Sequence, residues 1–324
     1  MGKLKILLSC LITICITIAM LSYCGHLLDP DESETAMDAI KAFHMLDENS
    51  LEVIIYGSSH AWRGCDSMEM YRKYGIAAYN YGCNWQYLNT TLLFLQDSLR
   101  TQTPKVVCID TYCVGMIELD TDMDGQIYYT RAIKDFEGKR EYLKQCFGTD
   151  VERYASYYLP IIMFHDNWNQ IDRENFAKSS PERWLKSMGY CGSKGVTSVA
   201  IGDYRQFTQH ELPAESLEVL DKMVAACKAK GVQILFYTCP YQGEFAFEDA
   251  MTRYANENGC AYLNLFAHME DMQLDPENDF QDAGHLNDSG AKKVADFLGE
   301  YIVNNYSVTD MRQTGDNIWA RNLQ

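Results

Sequence analysis

The chain has 324 residues, and 47% of them are hydrophobic, a composition that supports a packed core and excludes a disordered protein. Its 28 basic and 45 acidic side chains give a net charge of −17 without any basic cluster, so nucleic acid is not an expected partner. The 12 cysteines lack Cys-x-x-Cys spacing, which predicts neither a zinc site nor a disulfide framework.

The N-terminus carries an apolar run without charged side chains at 6–28. A membrane-spanning helix needs roughly 20 such residues, so the run is long enough to cross a bilayer. Lys3 and Lys5 precede it, and Asp29 and Asp31 follow it. The positive-inside rule therefore predicts a single-pass protein of the cell membrane, with a cytoplasmic tip and a transmembrane anchor at 1–28 and its body outside.

Two other interpretations of this run remain open. A cleaved signal peptide would have a similar apolar core, but no clear Ala-x-Ala site follows the run. A lipoprotein cleavage site is vaguely matched by Leu21-Ser22-Tyr23-Cys24, although Tyr23 stands where a small residue is preferred. We expect an uncleaved signal anchor.

After an acidic helical stalk at 29–48, strand patterns alternate with helix patterns. The residues 51–56 form a short apolar run that ends at Gly57, as in a buried parallel strand. The alternation predicts an α/β, flavodoxin-like three-layer sandwich with a central five-stranded parallel sheet. The predicted strands are 51–56, 77–81, 105–110, 232–238 and 261–265.

The residues at 112–205 interrupt this alternation, because they contain many aromatic side chains and no clear strand. We interpret them as a helical insertion packed over the strand ends, where open α/β sheets bind their ligands. The insertion lies within a predicted α/β domain at 49–308, which a C-terminal tail at 309–324 follows.

Two short motifs lie at opposite ends of this domain: Gly57-Ser58-Ser59-His60 after the first strand and Asp282-Ala283-Gly284-His285 before the last helix. A serine attacks a carbonyl carbon only when a base takes its proton, and a histidine base needs a third group to orient it. We expect Ser59 as nucleophile, His285 as base and Asp282 as the orienting acid. Taken separately, each motif is more typical of helix caps and polar loops.

These motifs resemble those of the SGNH/GDSL hydrolase superfamily. Its first block ends in Gly-Asp-Ser, here Gly57-Ser58-Ser59, and its last block is Asp-x-x-His, here Asp282 to His285. The second block is a glycine, matched by Gly82, while the asparagine of the third block is missing, since the third strand runs into Asp110-Thr111-Tyr112. The Gly-Ser-Ser variant is similar to the membrane-anchored teichoic-acid D-alanyl-transfer proteins, with the alginate-type O-acetyltransferases as more distant relatives.

The resemblance implies an ester-bond enzyme of the cell surface that works through an acyl-serine, without a cofactor. It also implies an oxyanion hole that includes the backbone amides of Ser59 and Gly82. Asn84 or Tyr112 would supply a third donor in place of the missing asparagine. Asn84 could equally be an ordinary turn residue, and Tyr112 is also a candidate for substrate binding.

Three other features of the sequence are candidates for a function. His60 adjoins the nucleophile, but we expect its side chain to point elsewhere. In the insertion, His165 and Trp168 are candidates for binding a sugar, because tryptophan stacks on sugar faces; a packed helix is the alternative. The residues 120–125 copy half of a calcium loop, yet Arg131 occupies the position of the bidentate glutamate, so we expect no metal.

The sequence thus predicts an extracytoplasmic serine esterase or O-acyltransferase that acts on an acylated envelope polysaccharide or a small ester. The catalytic residues do not distinguish hydrolysis from transfer. If the reaction is transfer, the resemblance implies a multi-spanning membrane acyltransferase as partner. The rival hypothesis is a non-catalytic glycan-binding or scaffold protein that keeps the fold, and the missing asparagine favours it.

Overall fold

A computed structural model describes residues 2–28, 31–117, 127–171 and 180–323; Asp29 and the residues 120–125 considered above lie outside this part. Five strands form one parallel sheet in the order β2-β1-β3-β4-β5. This confirms the predicted flavodoxin-like arrangement. The strands are β1 Val53–Tyr56, β2 Ala78–Asn80, β3 Val106–Asp110, β4 Gln233–Thr238 and β5 Ala261–Asn264.

Both faces of the sheet are buried, because consecutive side chains of each strand enter two different core layers. Ile54 of β1 packs in one layer together with Val107 of β3. Ile55 packs in the opposite layer together with Cys108. A parallel sheet covered by helices on both faces explains why its strands are continuous apolar runs rather than alternating ones.

The helices cover the sheet on both sides. Leu93, Val224 and Met251 pack in the first layer, and Val294 of the last long helix packs in the second. Within the described residues, the α-helices are Gly2–Leu27, Asp31–Phe43, Ser59–Gly64, Ser67–Tyr74, Leu88–Ser98, Glu137–Phe147, Val151–Tyr158, Ile161–Phe164, Pro181–Lys186, Ala214–Lys230, Glu248–Asn258, Asp288–Asn305 and Ile318–Asn322.

The N-terminal helix Gly2–Leu27 stands out from the body of the protein. Its side chains from residue 2 to residue 24 are exposed, and its segment Gly2–Gly25 has a mean hydropathy of 2.5. In the described part of the chain, this helix alone is long and apolar enough to cross a membrane. It could be a membrane anchor or a signal sequence.

The predicted stalk is a helix, Asp31–Phe43, that packs against the sheet layer instead of standing apart. The hydroxyl of Tyr79 on β2 donates to the carbonyl of Ala39 at 2.7 Å. The ring of Phe43 stacks on Tyr81 with centroids 4.1 Å apart. The sequence analysis predicted an acidic helical stalk but not this packing, in which the apolar positions of the helix are buried.

The C-terminal tail also packs on the domain. Trp319 is buried, and its indole Nε1 donates to the carbonyl of Ala78 on β2 at 3.0 Å. Arg312 donates to the carbonyls of Arg72 and Lys73 at 3.3 and 2.9 Å. The tail therefore covers the β2 side of the sheet, which the separate-tail prediction did not anticipate.

The described part of the insertion contacts both the N-terminal helix and the region beside the strand ends. Its helix Ile161–Phe164 contacts the N-terminal helix. Its extended residues 193–200 run beside the loop before the last long helix, where Thr197 N donates to Phe280 O at 2.8 Å and Val199 N to Pro276 O at 2.9 Å. The contacts of Thr197 and Val199 lie beside the strand ends, as does Met188, whose carbonyl accepts the amide of Asn80 at the end of β2 at 2.8 Å.

Gly57 makes the turn from β1 into the next helix with a φ of 142°, a conformation that side chains rarely adopt. A Cβ there would lie 2.7 Å from Asp110 Cβ and 2.9 Å from Ala61 Cβ. We therefore expect Gly57→Ala to lower the free energy of unfolding by roughly 3 kcal/mol or more, from backbone strain and overpacking together. Urea denaturation would measure this loss.

Gly259→Ala is the matched control. Gly259 has a φ of 67°, but no atom lies within 4 Å of the added Cβ, so only the backbone strain of about 1 kcal/mol is expected. Equal losses in the two variants would contradict the close packing at Gly57.

Candidate active site

The turn after β1 presents Ser59 at the carboxyl edge of the sheet. Ser58 caps the helix Ser59–Gly64, and its Oγ accepts a hydrogen bond from His60 N at 3.3 Å. Gly57 N donates to the buried Gln86 Oε1 at 2.7 Å, which fixes the turn from below. Capping is thus done by Ser58, and the Ser59 hydroxyl remains available for the cleft.

A short loop before the last long helix presents Asp282 and His285. Asp282 Oδ1 accepts the backbone amides of Gly284 at 2.8 Å and His285 at 3.0 Å, which closes the turn. An antiparallel bridge between Phe280 and Leu286 closes its base, and both side chains are buried. The loop is therefore held from within and projects both polar side chains on one side.

These two structures meet through a chain of hydrogen bonds. His285 Nε2 lies 2.7 Å from Ser59 Oγ. His285 Nδ1 lies 2.8 Å from Asp282 Oδ1 and 3.1 Å from Oδ2. A carboxylate can only accept, so Nδ1 carries the proton that it donates to Asp282, and Nε2 accepts from the serine hydroxyl. This is the geometry of a nucleophile, a base and an orienting acid.

The electrostatics of Asp282 favour its ionised form. Partial burial raises the pKa of this carboxyl, but hydrogen bonds from Gln281 and Gly284, together with the nearby His285, outweigh it, and the net shift is downward. The Gln281 amide donates to Asp282 Oδ2 at 2.8 Å. An ionised Asp282 can hold the His285 ring and stabilise a positive charge on it.

His60 lies against the site rather than pointing elsewhere. Its ring stacks on Tyr112 with centroids 3.6 Å apart, and its centroid is 5.4 Å from that of His285. Burial, and then the proximity of His285, lowers the pKa of His60 to about 3. His60 is therefore neutral near pH 7 and does not repel a protonated His285.

The predicted oxyanion donors separate into two groups. Ser59 is the first residue of its helix, so its amide has no intrahelical partner, and Asn84 lines the same cleft. Gly82 is buried, and its amide donates to Asn80 Oδ1 at 3.1 Å. Asn80 is held in turn by the carbonyls of Ala61 and Cys65, to which its Nδ2 donates. The Gly82 amide is therefore already hydrogen-bonded to the Asn80 side chain.

Asp110 occupies the end of β3, next to the position where the family has its asparagine. Its carboxylate is buried and accepts the amides of Tyr112 at 2.9 Å and Cys239 at 3.1 Å. Burial raises the pKa of Asp110 to about 7, against the lowering effect of these two amides. Asp110 therefore ties the ends of β3 and β4 together beneath the site, and its backbone leads Tyr112 into the cleft.

The cleft at Ser59 has a volume of about 360 Å³. A larger cavity of about 550 Å³ lies between helices elsewhere and contains no residue of the Ser59 site. Volume alone therefore does not identify the site. The residues that line the cleft are Ser58, Ser59, His60, Arg63, Asn84, Trp85, Tyr112, Gln281, Asp282, Gly284 and His285.

His165 and Trp168 do not line this cleft. His165 Nδ1 lies 3.0 Å from the carbonyl of Ile162, and Trp168 is 72% exposed. Their neighbour Asn167 donates to the carbonyl of Leu28 at 3.1 Å. The structure therefore places these two candidates beside the end of the N-terminal helix, and nothing in their surroundings supports binding of a substrate at Ser59.

Sequence reasoning missed three side chains of the cleft, Arg63, Trp85 and Gln281. Arg63 follows Ser59 by four residues on one helix, a spacing that puts both on the same face and could have revealed it. Trp85 adjoins Asn84 and has a φ of 52°, which is unusual for a bulky residue. No feature of the sequence predicts the positive φ of Trp85.

Within the described ranges, no cluster of three or more histidine, cysteine, aspartate or glutamate side chains is arranged to hold a metal ion.

The chain is remote from the known proteins with which it was compared. It matches no protein-family model and no curated protein. Among solved structures it is similar to "a putative acylhydrolase" from Bacteroides fragilis, with 11% sequence identity and a TM-score of 0.39, over 82% of this chain and 94% of that chain. At this similarity the match carries no argument about chemistry, which must come from the site itself.

The buried His60 makes the stability of the protein sensitive to acid. Folding lowers the pKa of His60 from 6.5 to about 3. Below about pH 6.5 the unfolded chain therefore binds a proton on this ring that the native state does not bind, and the free energy of unfolding decreases as the pH falls. His60→Phe keeps the stacking on Tyr112 but cannot bind this proton. When the pH is lowered from about 7.5 to about 4.5, we expect its free energy of unfolding to rise by about 2 to 3 kcal/mol relative to that of the wild type. Urea denaturation at both pH values measures this; parallel pH dependence in both proteins would contradict it.

Proposed function

We propose that this chain is a membrane-anchored, extracytoplasmic serine ester hydrolase or O-acyltransferase of the SGNH type. The observation that carries the proposal is the contact of 2.7 Å between His285 Nε2 and Ser59 Oγ, with Asp282 on the other ring nitrogen. A general base must lie within hydrogen-bond reach of the proton it takes, and this one does.

The chemistry follows from these three side chains. Ser59 Oγ attacks the carbonyl carbon of the ester while its proton passes to His285 Nε2. The tetrahedral intermediate then collapses, the bond from carbon to the alcohol oxygen breaks, and the alcohol leaves with the proton from His285. An acyl group stays bound to Ser59. A second hydroxyl, deprotonated by His285, attacks the acyl carbon. The bond from that carbon to Ser59 Oγ then breaks, and Ser59 Oγ takes the proton back from His285.

The negative oxygen of the intermediate needs fixed donors. The amide of Ser59 at the helix N-terminus is one, and the amide group of Asn84 in the cleft is our candidate for another. Gly82 is the family's donor, but its amide is engaged by Asn80. We therefore assign the second donor to Asn84, with Tyr112 as a further polar group in reach of the cleft.

Hydrolysis and transfer differ only in the second hydroxyl. Water gives a hydrolase, and a sugar hydroxyl gives an O-acyltransferase; both use every residue named above. The substrate class that we propose is an acyl ester of an envelope glycan. Trp85 and Arg63 in the cleft suit such a substrate, because an indole stacks on sugar faces and a guanidinium donates to oxygen atoms.

The anchor is the part of the proposal that rests on Gly2–Leu27. Lys3 and Lys5 precede its apolar segment, and no lysine or arginine follows before the body begins, which favours an extracytoplasmic body. A domain outside the membrane would meet envelope glycans directly. A multi-spanning acyltransferase that delivers acyl groups across the membrane remains the partner we propose for the transfer version.

The rival is a glycan-binding or scaffold protein without turnover. It is favoured by the missing third-block asparagine and by the engaged Gly82 amide. A disabled site would be expected to lose the contact between serine and histidine, yet that contact is short and continuous with Asp282. The geometry therefore favours the enzyme.

Replacing the nucleophile tests the enzyme directly. With the full chain in detergent and p-nitrophenyl acetate as substrate, we expect Ser59→Ala to lower kcat/KM by about a thousandfold or more, because it removes the hydroxyl that lies 2.7 Å from His285 Nε2. Ser307→Ala is the matched control, since Ser307 is exposed and outside the cleft. Equal rates for wild type and Ser59→Ala would refute the ester chemistry, and a sugar acceptor that takes up acyl groups would identify transfer.

Replacing Asn84 tests the proposed oxyanion donor. We expect Asn84→Ala to lower kcat by about 10² to 10³ with little change in KM, because the donor acts on the charge of the transition state. Steady-state kinetics on the same ester measures the two parameters. A rise in KM at unchanged kcat would instead assign Asn84 to substrate binding.

A further inference from the structure

Among the described residues, the body of the protein contacts the N-terminal helix near Gly25. Gly25 is the first buried residue of that helix, and a Cβ on it would lie 2.6 Å from Ile161 N and 3.1 Å from Pro160 Cβ. Just beyond, Asn167 Nδ2 donates to the carbonyl of Leu28 at 3.1 Å. The residues from 160 to 167 therefore pack against the point where the helix enters the body.

The length of the helix locates this point relative to a bilayer. A helix rises about 1.5 Å per residue, so the roughly 20 residues from Lys5 to Gly25 span about 30 Å, the thickness of the hydrocarbon core. With Lys5 at the cytoplasmic boundary, Gly25 falls at the outer boundary. Ile161 and Pro160, which touch Gly25, lie at the same level.

The same stretch of the body exposes large apolar side chains. Trp168 is 72% exposed, Tyr158 is 58% exposed and Ile162 is 40% exposed. Tryptophan and tyrosine are enriched where a membrane meets water, because the ring is apolar and its polar group can stay wet. Exposure of these three apolar side chains to water would not stabilise the protein.

We infer that the segment 158–171, called here the membrane-facing segment, lies in the outer interfacial layer of the bilayer as a second attachment beside the helix. The inference rests on the membrane anchor of the proposed function, and it names lipid as the occupant of this surface. Asp166, at the centre of the segment, is almost fully exposed, and the chain carries a net charge of −17. Apolar and aromatic contact, rather than attraction to anionic headgroups, would therefore hold it.

Two attachments would restrict the motion of the domain. A single helix lets the body swing on its last turn, whereas a second contact from the insertion fixes its tilt above the membrane. The inference also accounts for the exposed Trp168, which does not line the cleft. Its indole would lie among lipid, not on a sugar.

Quenching by brominated lipid tests the position of Trp168 in the full chain. The protein is reconstituted into vesicles of zwitterionic phosphatidylcholine, either plain or brominated near the carbonyl end of its acyl chains. Three of the five tryptophans are buried in the body and Trp85 lies in the cleft, so Trp168 should account for most of the quenching. We expect Trp168→Phe to reduce the quenched fraction by about twofold or more.

Matched variants keep the test decisive. In the Trp168→Phe background, Ile162→Trp is expected to restore quenching, whereas Val196→Trp, 62% exposed beside the cleft loop, is not. Equal quenching of wild type and Trp168→Phe would overturn the inference. So would Trp168 emission that changes with the ratio of protein to lipid but not with bromine, because that result indicates a second copy on the segment.

Failure of the anchor is measured separately. Vesicle flotation after an alkaline wash shows whether the chain is membrane-spanning at all, and ester cleavage by the same vesicles reports on Ser59. A chain that floats and cleaves esters but shows no bromine effect would overturn the membrane-facing segment alone.

Discussion

The hydrogen bond between Ser59 and His285 joins the two ends of the domain, and much of the structure serves to make it possible. The parallel sheet brings the turn after β1 to the edge where the loop before the last helix also arrives. Gly57 gives that turn a shape that other residues resist. Asp282 closes the opposing loop with the same carboxylate that holds the His285 ring, so loop stability and catalytic orientation depend on one side chain.

Burial suppresses the charge of two titratable groups beneath the site. His60 is kept uncharged by burial and supports Tyr112, while the raised pKa of Asp110 leaves that carboxyl partly protonated near neutral pH. Asp282 is then the ionised group next to His285. A single negative charge on the far side of the ring favours the proton on Nδ1, which leaves Nε2 free to accept from serine.

The fold could be predicted from the sequence, because buried strands leave local patterns, and the paired motifs predicted that Ser59, Asp282 and His285 would meet at one edge of the sheet. Packing between residues that are far apart in the sequence leaves no such local pattern. The helix Asp31–Phe43 resembled a solvated stalk until Tyr79 and Phe43 showed its buried face. His60 was expected to turn away, since nothing in its neighbours announces a stacking partner more than fifty residues along the chain. Gly82 matched a motif, but the hydrogen bond to Asn80 depends on a side chain whose orientation only the folded structure defines.

In the reaction that we propose, the choice between hydrolysis and transfer depends on which hydroxyl reaches acyl-Ser59 first. Water is always present in an open cleft, so transfer requires an acceptor that is held beside the ester for longer than water takes to attack. Trp85 and Arg63 stand where such an acceptor would bind, on the same cleft as His285. A domain tilted by two membrane contacts would meet a glycan from a constant direction, which raises the effective concentration of its hydroxyls. Positioning of the acceptor, rather than any change in the triad, is therefore the physical basis on which this site could favour transfer.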